Sequence, residues 1–139
     1  MILELQATPE EVMRAVEAFR EFGRVNQVPD EALFGLALAL EECGSNIVNH
    51  ALQRDATKKF QVLFHRDGDA FVIELRDTGP AFDPTSATPR KSQADDDDLP
   101  GGWGIELVRR YTDEMRYARE DGQNILRLKK NISPESGQK

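Results

Sequence analysis

The sequence predicts an α+β fold, a two-layer sandwich in which a mixed β-sheet is covered on one face by helices. Three observations predict it. Several stretches alternate apolar and polar residues, and Asp-Gly turns join four of them into two hairpins. Two long helical stretches follow one another near the start, each behind a start signal. The order is β-α-α-β-β-loop-α-β-β, with strands and helices partly segregated.

Each element has its own warrant. "ILELQA" alternates and reads as a short first strand. Thr8 then precedes "PEE", an N-cap followed by proline at the first helical position and acids in the first turn. This helix runs to about Val25 with Val12, Val16, Phe19 and Val25 on its buried side. "NQVPD" breaks it, and Asp30 is expected to cap a second helix ending near Leu52. "KKFQVLFHRDG" sets Phe60, Val62 and Phe64 against Gln61 and His65, a half-buried strand, and "DGD" turns it into "AFVIELRD". Residues 79–101 contain Pro80, Pro84, Pro89, Pro100 and the run Asp95 to Asp98, and read as one long functional or disordered loop. "GIELVRRY", from Gly104 to about Tyr111, is helical, and "EMRYARED" and "QNILRLKK" form the second hairpin.

Composition narrows the function classes. The chain has 139 residues, enough for one domain with a real core, expected over 1–131, before a disordered tail at 132–139. Its net charge of −7 argues against broad contact with nucleic acid, which needs clustered Lys and Arg. No apolar run approaches the ~18 residues of a membrane span. The first residues lack the basic start and long apolar run of a signal peptide, so a cytoplasmic protein is expected. Cys43 stands alone on a helix with no neighbouring base in sequence, as a small core residue does.

Three short motifs remain. "EECGSNIVNH" ends the second helix, and Glu42, Asn46, Asn49 and His50 fall within about 100° of one another at helical spacing. Asn, Ser, Gly and His are poor helix formers, so a face built from them suggests chemistry rather than mere solvation. "RDTGPAFDP" ends a strand with Asp77 and opens a loop with Gly79. A carboxylate there can accept a hydrogen bond from an exocyclic amine, and a residue without Cβ lets a flat ring approach the backbone. "GGWGIELV" sets glycines before a helix, whose free N–H groups and dipole can receive phosphate. Taken singly, each has a bland alternative: a polar helix face, a Gly-Pro turn, a flexible hinge. The "DTG" of an aspartic protease does not suit a chain with two long helices before it.

In this order and spacing the motifs resemble those of the GHKL, or Bergerat-fold, ATPases. "EECGSNIVNHA", "DTGPAFDP" and "GGWGIELVRRYTDEMRY" are most similar to the bacterial anti-sigma-factor serine/threonine kinases of that superfamily, over about residues 3 to 130. The resemblance implies roles for single residues. Glu42 would be the general base, and Asn46 would ligate Mg²⁺ through its amide oxygen. Asn49 and His50 would lie near the nucleotide. Asp77 would bind the adenine amine and Gly79 would admit the ring, with Phe82 of the same motif at the nucleotide. Gly102, Gly104 and the following Ile105 would form the phosphate-binding helix start. Arg127 takes a last-strand position where some relatives carry a threonine near adenine.

The implied function is an ATP- and Mg²⁺-dependent serine/threonine protein kinase acting as an anti-sigma factor in a partner-switching system. Its partners would be a sigma factor and a STAS-domain antagonist, the latter its substrate, with no nucleic-acid or membrane partner. A homodimer through the first strand and first helix is compatible with this reading. The alternatives are a non-catalytic nucleotide-dependent binding regulator or a simple ATPase. A histidine kinase would need a helical phosphoacceptor domain in addition to these elements. The acidic run Asp95 to Asp98, with only Arg90 and Lys91 as nearby cations, is expected to face solvent or a protein partner rather than a triphosphate.

Overall fold

The computed structural model describes residues 1–86 and 101–132, with residues 101–104 as backbone only. Arg90, Lys91, Asp95 to Asp98 and the tail at 133–139 lie outside the described residues, and with them the expectations made for the loop and the tail.

Five strands form one sheet: β1 (Ile2–Gln6), β2 (Lys59–Asp67), β3 (Ala70–Asp77), β4 (Glu114–Glu120) and β5 (Gln123–Asn131), in the order β1-β2-β3-β5-β4. Three helices, α1 (Pro9–Val25), α2 (Asp30–Asn46) and α3 (Gly101–Tyr111), complete the sandwich, with α2 packed against both others. The expected mixed sheet narrows to four antiparallel pairings. β3 and β4 do run the same way, but β5 is inserted between them, so these parallel strands never pair.

Local sequence explains the helix ends. The Thr8 hydroxyl accepts from the Glu11 N–H at 3.2 Å, the capping bond expected at α1. Asp30 does not cap α2. It is the first helical residue, behind Pro29, and no side chain caps this end. An acid in the first turn still favours the helix dipole. Val25 is 70% exposed rather than buried, because α1 ends there and the chain turns away through Asn26. α3 starts at Gly101, three residues earlier than its sequence suggested.

Strand alternation places Phe60, Val62 and Phe64 of β2 and Ile73 and Leu75 of β3 on the face covered by helices. There Phe19 packs edge-on against Phe64 at 5.1 Å between ring centroids, and Phe22 meets Phe64 and Phe71. Gly44 of α2 lies where a Cβ would be 3.1 Å from Val12 of α1. Gly35 lies where a Cβ would be 2.3 Å from the Tyr111 ring of α3. The low helix propensity of Gly44 therefore reflects close packing of two helices, not the chemistry suggested by its motif.

Candidate functional site

Asp77 is the last residue of β3 and lies on the helix-facing side of the sheet, 4% exposed. Its Oδ1 accepts from the Gly79 N–H at 2.8 Å and from Asn124 Nδ2 at 3.0 Å. Both protein donors land on one oxygen. Oδ2 receives none among the described residues, so a buried carboxylate keeps one acceptor for a ligand.

Gly79 follows at a close approach. A Cβ there would lie 2.5 Å from the carbonyl oxygen of Ala51 and 3.1 Å from Asp77 Oδ1. The room that glycine leaves is thus taken by the protein's own backbone, at the end of the second helical stretch. That stretch does not stay α-helical to Leu52. After Asn46 it widens into a π turn, Ile47–Ala51. Such turns recur at functional sites because they shift the helix register by one residue.

Upstream of the π turn, Asn46 is 4% exposed, with no partner for its side-chain amide among the described residues. Glu42 lies one helical turn earlier. Its Oε2 is buried and has no hydrogen-bond partner among the described residues. Burial first, and Glu41 second, push the Glu42 carboxyl above the ordinary carboxylate range. Buried polar atoms are nearly always paired, so an orphaned carboxylate oxygen marks a place where a ligand, ion or water belongs.

Within the π turn Asn49 and His50 have different partners. Asn49 Oδ1 accepts from Arg54 Nε at 2.9 Å. His50 stacks on Phe82 at 5.8 Å between centroids, with 24° between the planes. Burial first, and Arg54 second, hold the His50 imidazole below its ordinary pKa. His50 is thus set against Phe82 of the second motif, and Asn49 is tied to the exposed Arg54.

A pocket is lined by Cys43, Asn46, Asp77, Phe82, Tyr117 and Asn124 among others. It unites Asn46 from α2 with Asp77 and Phe82 from the second motif. Gly102 and Gly104 belong to the first turn of α3, and Ile105 is 4% exposed on that helix. Cys43 is fully buried, and burial followed by Glu42 pushes its thiol far up, as expected of a core residue.

The sequence reading missed Asn124. β3 and β5 pair with Asp77 opposite Asn124, whereas Arg127 pairs with Glu74 on the opposite face of the sheet. The last-strand residue beside Asp77 is therefore Asn124 and not Arg127. A signal was present: Asn124 shares its strand parity with the buried Leu126 and Leu128, where an amide needs a reason. Tyr117 and Arg119 of β4 reach the same amide.

Residues 5–130 match the model of the histidine kinase-like ATPase domain. Over 104 residues the chain is 34% identical to the serine/threonine-protein kinase BtrW of Bordetella bronchiseptica, covering 74% of this chain and 73% of that one. Among solved structures it is similar to the SiaB–SiaC complex from Pseudomonas aeruginosa, with a TM-score of 0.66, 14% identity, and coverage of 95% and 88%. It is also similar to the RsbU and RsbW domains of Rv1364c from Mycobacterium tuberculosis, with a TM-score of 0.63, 16% identity, and coverage of 95% and 32%. These two likenesses concern the fold.

Proposed function

The chain belongs to the histidine kinase-like ATPase domain family, and from that premise we propose that it is an ATP-dependent serine/threonine protein kinase. Its pocket receives the adenine of ATP at Asp77. Its substrate is a STAS-domain antagonist, and it restrains a sigma factor in a partner-switching cycle. The protein-kinase name of the Bordetella relative supports transfer to a hydroxyl on a protein.

The observation that carries the catalytic part is Glu42. Its Oε2 is buried without a partner among the described residues, one turn from Asn46, which lines the pocket. Phosphoryl transfer needs chiefly positioning and neutralised charge, with a base for the attacking hydroxyl. A carboxylate kept from protein donors, with its affinity for a proton raised by burial, suits that base.

The donor set also fits Mg²⁺. Among the described residues no group of three His, Cys, Asp or Glu could hold a metal unaided. A magnesium ion leans on one or two protein oxygens and on substrate phosphates, and Asn46 would supply the amide oxygen. When bound, the ion would neutralise charge on the phosphates. Among the described residues no helix is long and apolar enough to cross a membrane.

The test is transfer of labelled γ-phosphate from ATP to a purified STAS-domain protein. A phosphoserine or phosphothreonine on that protein supports the kinase. Free phosphate without labelled protein makes the chain an ATPase. Nucleotide binding with neither product makes it a nucleotide-dependent regulator.

A further inference from the structure

The Asn124 side chain is 4% exposed and its hydrogen bonds have a fixed polarity. Nδ2 donates to Asp77 Oδ1 at 3.0 Å and to the Pro80 carbonyl at 2.9 Å. Oδ1 accepts from the Phe82 N–H at 3.1 Å, from Arg119 Nη1 at 3.1 Å and from the Tyr117 hydroxyl. A backbone N–H and a guanidinium can only donate. A carboxylate and a carbonyl can only accept. Turned over, the amide would set donor against donor at Phe82 and Arg119, and acceptor against acceptor at Asp77 and Pro80. The orientation seen is the one that satisfies every partner.

From this the geometry points to Tyr117 and Arg119 as positioning residues for base specificity. They act through Asn124 and touch no reacting atom. By holding the amide oxygen toward β4, they hold its NH₂ against Asp77 Oδ1. The Gly79 N–H fills the rest of that oxygen's share. What the pocket wall then presents is Asp77 Oδ2, an acceptor with no protein donor among the described residues. An acceptor there favours a 6-amino purine over a 6-oxo purine, whose oxygen would face it without a proton between them. Arg119 adds a second tie, donating to the Gly79 carbonyl at 2.7 Å, so the hairpin strand β4 grips both sides of the Asp77 turn. With the β4 donors removed, Asn124 Oδ1 keeps only the Phe82 N–H, while Nδ2 keeps Asp77 Oδ1 and the Pro80 carbonyl. Asn124 is then held on one side alone and the Asp77 turn loses its tie at the Gly79 carbonyl, so Asp77 can rotate Oδ2 away from the base and the discrimination against a 6-oxo group falls. The inference rests on the reading that Asp77 receives the base.

ITP differs from ATP only in an oxo group replacing the 6-amine, which makes the pair a direct probe. Affinities for both, with Mg²⁺, are measured by calorimetry on the wild type, on the double variant Y117F/R119M and on R119K. The wild type should prefer ATP by about tenfold or more, the worth of one hydrogen bond to a charged group. The double variant should lose most of that preference. R119K should retain it, because an ammonium still donates to Asn124. An unchanged ATP-to-ITP ratio in the double variant overturns the positioning role, even if both affinities fall together as they would from simple loosening. If the double variant does not fold, Arg119→Met alone decides, since it removes the bonds to both Asn124 and the Gly79 carbonyl: a reduced ratio supports the role and a wild-type ratio overturns it. A wild type that binds ATP and ITP equally removes the base-recognition reading itself, and this inference with it.

Discussion

Gly79 lies against Ala51 so closely that a β-carbon would stand 2.5 Å from the Ala51 carbonyl oxygen. The contact joins the loop after β3 to the π turn after α2, so two motifs 28 residues apart in sequence meet backbone to backbone. Neither partner is the flexible end of a side chain. Gly79→Ala must therefore displace main chain, at about 1–3 kcal/mol, the usual cost of overpacking. Urea denaturation should show the loss, and nucleotide affinity should fall with it because Asp77 Oδ1 takes the Gly79 N–H. A variant as stable as the wild type would mean that the two segments separate easily.

Asp77→Ala should remove a hydrogen bond to a charged group, worth about 1.5–3 kcal/mol, or roughly ten- to a hundred-fold in ATP affinity. It also strips Asn124 Nδ2 of a partner. Isothermal calorimetry with Mg²⁺ measures the change. Wild-type affinity in this variant would show that the base lies elsewhere.

Asn46→Ala should weaken ATP binding chiefly when Mg²⁺ is present, because the proposed role is an oxygen ligand to the ion. Titrations with Mg²⁺ and with EDTA give the two affinities. Equal losses in both would leave Asn46 as a wall of the pocket and not a ligand.

Glu42→Gln should separate binding from catalysis. ATP affinity should stay within a few-fold of wild type, while phosphoryl transfer falls by about 10²–10⁴-fold. The wild-type rate should rise with pH through the raised pKa of Glu42, since the base must be ionised. Glu41→Gln should shift that rise to lower pH, because Glu41 is the second cause of the upward shift. Stability follows the opposite sense. The native carboxyl holds its proton more tightly than the unfolded one, so this group destabilises as pH rises above its ordinary 4.5. Glu42→Gln should therefore melt higher than wild type at neutral pH, and the gap should close in acid. Transfer at the wild-type rate by this variant would disqualify Glu42 as the base.

Cys43 should resist thiol reagents in the folded protein, since it is fully buried and its thiolate is strongly disfavoured. Ellman's reagent should react only on unfolding. Rapid labelling of the native protein would show that the floor of the pocket opens.

The sequence by itself determined the element order, both hairpins and the face that β2 buries. Those features are local: a period of two, an Asp-Gly turn or a Thr-Pro start acts over a few residues whatever lies beyond them. It also singled out Glu42 and Asn46, on a polar helix face set against helix propensity, and Asp77, at a strand end before a glycine. Only the tertiary structure decided the rest. The π turn at Ile47–Ala51 is a departure of backbone hydrogen bonding from its usual period, and in it His50 stacks on Phe82 while Asn49 accepts from Arg54. The pairing of β3 with β5 set Asn124, and not Arg127, beside Asp77. Register between distant strands depends on contacts made across the whole sheet, and a shift of one residue exchanges every side chain between its two faces. The reason for Gly79 likewise lay in a main-chain carbonyl on another element, which no local pattern encodes.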